Sequence, residues 1–295
     1  MSNISAKLVK ELREKTGAGM MECKKALQEV DGDIEGAVDF LRTRGLAALS
    51  KKADRATNEG AIAEYISVDD KTGVLIEVNC ETDFVSANQT FVTFTKLLAE
   101  VVAKHNPADN DALMKLPVPG RDITIEELFG ETVGKLGENI RVARFTRIEL
   151  TGTGALAAYI HGGAKIGIMV QFGLSDQASA EKEPFKIYAR DVAMQVAAAN
   201  PIAVRREDFD PALVEKEKGI YKAQAAESGK PENIQEKMAE GRLNKFFKEQ
   251  ALVEQAYVKD MDITVDEYTK RVAKQLSDTI TIEAFTRYDL GSTAN

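Results

Sequence analysis

The side chains able to do chemistry are few and scattered. His105 and His161 are the only histidines, and Cys23 and Cys80 the only cysteines, in 295 residues. Neither histidine stands at metal-ligand spacing from a cysteine or from the other, so no metal site or catalytic pair is expected. Cys80 ends the strand predicted from the β-rich run Val74 to Val78 and reads as a small core side chain before it reads as a nucleophile. Thr151-Gly152-Thr153-Gly154 is the nearest candidate for a phosphate loop. It lacks the lysine such a loop needs and leads into a strand, not a helix. Met20 and Met21, after Gly17 and Gly19, make a soft apolar pair that suits either a core or an adaptable docking face. His161 by itself reads as a turn or strand-end residue. What these residues support is recognition: no catalytic residue, no metal and no cofactor of the chain's own is expected.

Composition narrows the partner. The chain carries 39 basic and 47 acidic residues, a formal net charge of -8, with 44% apolar and 29% charged residues. That is an ordinary globular balance with room for two or three domains. A net negative chain lacks the basic face that a sequence-independent nucleic-acid binder needs. Residues 1–55, with 11 basic and 9 acidic residues, are slightly basic, too slightly to imply a polyanion. Two cysteines cannot build a disulfide framework, which fits a reducing compartment. The opening residues, with Lys7, Lys10 and Glu11, show no apolar signal run, and no stretch of 18 apolar residues occurs. The expectation is a cytoplasmic protein.

The elements that must position these residues begin with a helical unit over 1–43. Leu8, Val9 and Leu12 form one stripe after a capping Ser5, and Thr16-Gly17 ends the helix. A second helix runs from about Gly19 to Glu29, and Asp33 caps a third that holds Ile34, Val38 and Leu41 inward and closes at Gly45. So short a unit has a thin core and offers a face to something else. Ser50 to Glu59 reads as a polar linker. It predicts that a chain starting near Asn58 still folds but loses the docking function of the helical unit.

The remainder is an internal repeat. Gly60-Ala61-Ile62-Ala63-Glu64-Tyr65-Ile66 returns as Gly154-Ala155-Leu156-Ala157-Ala158-Tyr159-Ile160, an offset of 94. Asp122-Ile123-Thr124 and Phe145-Thr146-Arg147 return at an offset of 140, so the second copy carries 46 extra residues between Pro201 and Asp262. Each copy reads as a hairpin turning at Asp69 to Gly73, a helix with Phe91, Phe94, Leu97, Leu98, Val101 and Val102 inward, a second helix opening near Thr124, and a returning strand from Ile140 to Leu150. That is an α+β arrangement, a small antiparallel sheet with helices on one face. In the insert, Leu213, Val214, Ile220 and Tyr221 face a second stripe of Ile234, Met238, Leu243 and Phe246 across Ser228-Gly229-Lys230-Pro231. This pattern predicts an antiparallel coiled-coil hairpin of about 206–257. Since the first copy folds without it, loss of Glu207 to Tyr257 should be tolerated. The expected division is 1–55, 56–150, 151–290 with the insert, and a short tail over 291–295.

Three long motifs then resemble the bacterial elongation factor Ts family, in that family's order. They are Leu8 to Arg13 leading into Thr16 to Leu27, Glu77 to Val85, and Gly229-Lys230-Pro231 with Ile234, Glu236 to Met238 and Glu240 to Arg242. The resemblance covers almost the whole chain. It implies a UBA-like N-terminal domain, a duplicated core and a coiled coil. The implied activity is that of a guanine-nucleotide exchange factor, which binds the GDP-bound form of elongation factor Tu and speeds GDP release. Mg²⁺ and the nucleotides would then belong to the partner. Thr82, Asp83, Phe84 and Val85 would enter the GTPase near its switch region and disturb its Mg²⁺ site. Arg13, Met20 and Met21 would dock the helical unit on the GTPase domain, His161 would touch the partner, and the rest of the second copy would face another of its domains. Some members continue into a helical tail that grips the partner, whereas this chain stops five residues after Leu290.

Two bland readings stand beside these. A helix-binding adaptor would explain residues 1–43 and leave the repeat idle. Phe84 could be a core residue at a strand end, with Asp83 capping the next helix. The repeat argues otherwise, because at offset 94 Thr82 to Val85 fall on Asp176, Gln177, Ala178 and Ser179. The fold as such does not require an aromatic there.

Overall fold

The computed structural model describes residues 4–292. Three helices open the chain: α1 (Ala6–Thr16), α2 (Met20–Glu29) and α3 (Ile34–Lys52). The first core copy follows as β1 (Glu59–Ile66), β2 (Thr72–Cys80), α4 (Asp83–Ser86), α5 (Gln89–His105), α6 (Asn110–Met114), α7 (Ile125–Leu136) and β3 (Ile140–Glu149). The second is β4 (Gly154–His161), β5 (Ile166–Leu174), α8 (Glu183–Ala199), α9 (Pro211–Ala226), α10 (Glu232–Gln250), β6 (Ala256–Tyr257), β7 (Asp260–Thr264), α11 (Val265–Leu276) and β8 (Ile280–Asp289). The fold is mixed α+β with small antiparallel sheets. Among the described residues no helix is long and apolar enough to cross a membrane.

Local signals place the opening helices. The Ser5 hydroxyl accepts the Leu8 N–H at 3.2 Å, and Gly17 ends α1 in the left-handed region at φ 67°. Asp33 caps α3 by accepting the Gly36 N–H at 3.0 Å. Leu12, Cys23, Ala26, Leu27 and Ala37 make the centre of this unit. The expected stop at Gly45 is wrong. α3 continues to Lys52, and Gly45 is buried mid-helix, where a Cβ would stand 2.7 Å from the Gly130 carbonyl. Gly45 therefore serves close helix approach, pairing with Gly130 so that the backbones of α3 and α7 touch. Ser50, Lys51 and Lys52 belong to the last turn of α3, not to a linker, and Ala48 and Leu49 pack on the first core. Cutting near Asn58 would strip a helix from α7.

The repeat is visible bond by bond. The sheets run β1-β2-β3 and β4-β5-β8, and each has a bulge at the same place, Glu77/Val78 and Gln171/Phe172. Helices α5 and α8 end in left-handed asparagines, Asn106 (φ 47°) and Asn200 (φ 45°). Helices α7 and α11 start with the same reciprocal cap, Thr124 with Glu127 and Thr264 with Glu267. One sheet face in each copy is covered by its own helices. The opposite faces meet each other through Ile62 and Leu75 of the first copy and Leu156, Met169 and Tyr288 of the second.

The insert is a helical hairpin of α9 and α10. Its seam holds the small Ala225 and Ala239 buried, while Ile220 and Ile234 stay exposed, because each helix has a single neighbour there. Its base is different. Ala203, Phe209 and Ala251 are buried with Leu213, Val214, Phe246 and Phe247 around them, and Leu252 joins the second core. Tyr257 is buried and donates its hydroxyl to Asp191 at 2.6 Å. The expectation that Glu207 to Tyr257 is dispensable is therefore corrected: the ends of that segment are core. Replacing only Tyr221 to Arg242 by a short Gly-Ser turn should leave one cooperative transition within a few degrees of the native one. Replacing Glu207 to Tyr257 should cost about 5 kcal/mol or more, since several buried side chains go at once. Scanning calorimetry on the two deletions reads the difference.

Candidate functional site

Helix α4 is one turn long and cannot hold itself. It is held from its start. Thr82 is extended, and its hydroxyl accepts the Val85 N–H at 3.4 Å. Thr82, not Asp83, is therefore the cap. Helical geometry then splits the motif. Val85 turns inward and is buried, whereas Asp83 is exposed and Phe84 is 85% exposed. A whole phenyl ring in water next to a packed sheet is a binding feature before it is a structural one. Beneath it, the Cys80 thiol donates to the Thr82 carbonyl at 3.2 Å. Burial, with a smaller push from the nearby Glu138 carboxylate, raises that thiol to about 12.

A polar cradle carries this turn. One oxygen of Glu138 accepts the N–H groups of Glu81 (3.1 Å) and Thr82 (3.0 Å), and the other accepts the Thr82 hydroxyl (2.6 Å). Glu81 returns the favour by accepting the Asn139 N–H at 2.6 Å and pairing with Arg55 at 3.4 Å. The Asn139 amide donates to the carbonyls of Ala53 (3.3 Å) and Arg55 (2.9 Å), just beyond α3. Lys52 reaches the carbonyl of Gly137. The exit of α3, the end of α7 and the start of α4 are thus one hydrogen-bonded knot.

The second copy keeps the cradle and drops the aromatic. Asp278, at offset 140 from Glu138, accepts the N–H groups of Ser175 (3.0 Å) and Asp176 (3.2 Å) and the Ser175 hydroxyl. Burial alone would raise the Asp278 carboxyl; the bonds from Ser175 and Thr279 outweigh it and hold the group at about 2. Ser179, opposite Val85 in the repeat, is buried, and Ala178, opposite Phe84, is exposed. Sequence reasoning missed Glu81, Glu138, Asn139 and Arg55. The one available signal was an acid after the second helix in both copies.

The remaining site residues form two further patches. Arg13, Met20 and Met21 line one groove of about 570 Å³ with Ile4, Val9, Lys10 and Lys24. Met20 and Met21 are 59% and 73% exposed, so neither is a core residue. The groove is apolar within and basic at its rim. His161 is exposed at the end of β4, where its Nδ1 shares a hydrogen bond with the Tyr159 hydroxyl at 2.9 Å. The turn after it, through Ala164, abuts β1: Ala164 accepts the Ile62 N–H at 2.8 Å, and Lys165 pairs with Glu59 at 3.3 Å. Glu59 stands in register with Cys80, so the His161 turn and the Phe84 turn share one end of the sheets. The groove lies on α1 and α2, and the unit that bears it joins the first core copy through α3 on α7. Among the described residues no three His, Cys, Asp or Glu side chains converge as a metal site.

Comparison with known proteins agrees on one family. The profile described as Elongation factor TS matches residues 81–292. An Elongation factor Ts of Clostridium botulinum (strain ATCC 19397 / Type A) is 46% identical over 291 residues, spanning 98% of this chain and 92% of the relative. One from Trichlorobacter lovleyi is 46% identical over 289 residues, spanning 98% and 93%. One from Clostridium novyi (strain NT) is 44% identical over 289 residues, with the same coverage.

Two outcomes follow from the geometry. Phe84→Ala should change stability by no more than about 0.5 kcal/mol, whereas Val85→Ala should cost about 1–3 kcal/mol in urea melts. Cys80 should resist a thiol reagent at pH 8 until urea unfolds the chain. Its folded value lies above the unfolded one of 9.0. Its contribution to stability is therefore complete below pH 9 and fades as pH rises from about 9 towards 12. The stability gap between the native protein and Cys80→Ala should shrink over the accessible part of that range.

Proposed function

From the premise that this chain belongs to the elongation factor Ts family of translation elongation factors, we propose that it is the guanine-nucleotide exchange factor for elongation factor Tu. The observation that carries the reading is Phe84, an exposed ring on a turn pinned from beneath, at a position where the second copy has alanine. In this reading residues 1–55 are a UBA-like docking unit that grips the GTPase domain through Arg13, Met20 and Met21. The unit over 56–150 presents Asp83 and Phe84 to the Mg²⁺ and phosphate site of the partner. The unit over 151–290, with a coiled coil over about 206–257, faces another partner domain, with His161 at the contact. Thr82 and Val85 serve the motif from inside the fold, as cap and anchor.

Exchange needs no nucleotide site and no catalytic residue on this chain. If nucleotide weakens the hold of the factor, the factor weakens nucleotide by the same ratio. Moving the partner from almost fully bound to almost fully empty takes about 5.5 kcal/mol of differential affinity. A divalent ion is often the largest local charge in a phosphate site, so an aromatic wedge that displaces it is well placed to supply much of that. GTP then enters because it is the more abundant nucleotide.

The test is release of fluorescent GDP from elongation factor Tu, followed with and without this protein. We expect a large acceleration that saturates with factor concentration. No acceleration at saturating protein ends the proposal. Phe84→Ala should lower the maximal rate at least tenfold, about 1.4 kcal/mol of lost differential binding. Met20→Ala with Met21→Ala should instead raise the half-saturating concentration about tenfold and leave the maximal rate near native.

A further inference from the structure

Resting on the exchange reading, we infer that Glu138 is the positioning residue of the Phe84 wedge, and that the knot around it couples the wedge to the docking unit. Glu138 touches no part of the wedge itself. It acts through three donors on two consecutive residues, the N–H groups of Glu81 and Thr82 and the Thr82 hydroxyl. Thr82 is also the cap of α4, so Glu138 fixes the residue that fixes the helix. Thr82 is bound at both N–H and Oγ1, which leaves its rotamer no freedom, and a one-turn helix takes its direction from its first residue. The orientation of Phe84 is therefore set two residues upstream, by a side chain from the far end of α7.

The same knot has a second side. Glu81 closes the loop on Asn139, and Asn139 donates to the backbone of Ala53 and Arg55, where α3 leaves the docking unit. α3 lies on α7 at Gly45 and Gly130, backbone against backbone, a rigid point of contact between the two helices. A force on Phe84 thus passes from Thr82 to Glu138, to the end of α7, and on to α3 and to α2, which bears Met20 and Met21. The docking unit carries the reaction force while the wedge is pressed into the partner.

The second copy is the control that separates positioning from plain stabilisation. Asp278 makes the corresponding bonds to Ser175 and Asp176, yet the turn it holds presents Ala178 and no wedge. Removing either acid deletes the bonds from two consecutive N–H groups and one hydroxyl ahead of a short helical turn, the hydroxyl being that of Thr82 in the first copy and of Ser175 in the second. Only one of the two deletions frees a wedge.

The experiment compares Glu138→Ala, Glu138→Asp and Asp278→Ala in the full chain, at a temperature where urea melts show all of them folded. GDP release from elongation factor Tu is measured across factor concentration, with Phe84→Ala as reference. Glu138→Ala should reduce the maximal release rate at least fivefold, with half-saturation within about twofold of native. Glu138→Asp, which restores the carboxylate one bond short, should recover at least half of the loss. Asp278→Ala should keep a native maximal rate. Amide exchange in the Glu138→Ala protein should speed up at Thr82 and Val85. A native maximal rate for Glu138→Ala beside a crippled Phe84→Ala overturns the inference and spares the wedge. Equal losses from Glu138→Ala and Asp278→Ala reduce both acids to stabilisers, which overturns it too. If Phe84→Ala itself exchanges normally, the wedge reading fails at its own step.

Discussion

The two core copies are held face to face by a pair of crossed hydrogen bonds. The N–H of Ile62 in β1 donates to Ala164, and that of Leu156 in β4 donates to Asp70. Both acceptors are left-handed residues of the opposite hairpin turn, at φ 69° and φ 55°, and the two bonds are equivalent at offset 94. Around them the chain repeats one interface against itself. Gly73 lies where a Cβ would meet Leu156 and Met169, and Gly167 where a Cβ would meet Ile62. An antiparallel sheet can leave one face to water, but here both faces of each sheet carry apolar side chains that need cover. Helices cover one face of each sheet, and the other copy covers the other. Neither copy is complete without its twin, so everything mounted on them, the Phe84 turn, the helical hairpin and the opening helices, inherits its position from this contact.

That constraint explains what was legible in the sequence. Ile62 and Leu156, Leu75 and Met169, and Gly73 and Gly167 recur because one surface packs on a copy of itself, and size must match on both sides. The caps at Thr124 and Thr264 recur because they act within a single turn. The exposure of Phe84 was legible by contrast, as an aromatic that the repeat does not need. Gly45 was misread because a glycine at a helix end and a glycine at a helix crossing look alike until the partner helix is known. Glu81, Glu138 and Asn139 were invisible for a related reason. Their bonds join residues more than fifty positions apart, and only Glu138 leaves a trace in the repeat, as the acid Asp278 at offset 140.

Where the copies differ, the second has replaced oily positions with a polar network. Leu97 and Val101 of α5 correspond to Asp191 and Gln195 of α8. Asp191 is buried and accepts from Tyr257 and Lys259, each at 2.6 Å, and Gln195 binds Gln255 at 3.1 Å and the Val258 N–H at 2.8 Å. These partners lie where the helical hairpin rejoins the core. Apolar contact is non-directional and would accept several registers for a returning strand. A satisfied buried network accepts one. The directional bonds sit at the base of the one element that leaves the core and comes back, which is where register is hardest to keep.

The same economy of freedom governs the wedge. Ordering one residue of backbone costs about 1–2 kcal/mol. A loose segment from Glu81 to Ser86 would owe about 6–12 kcal/mol on first meeting a partner. That exceeds the roughly 5.5 kcal/mol needed to turn a bound nucleotide into a lost one. A floppy Phe84 would spend the whole of its binding energy on becoming ordered. Folding settles the debt beforehand, through the cap at Thr82, the buried Val85 and the carboxylate of Glu138. In the proposed reading the ring would meet its partner with its geometry already fixed, and the contact energy would be free to act on the other protein.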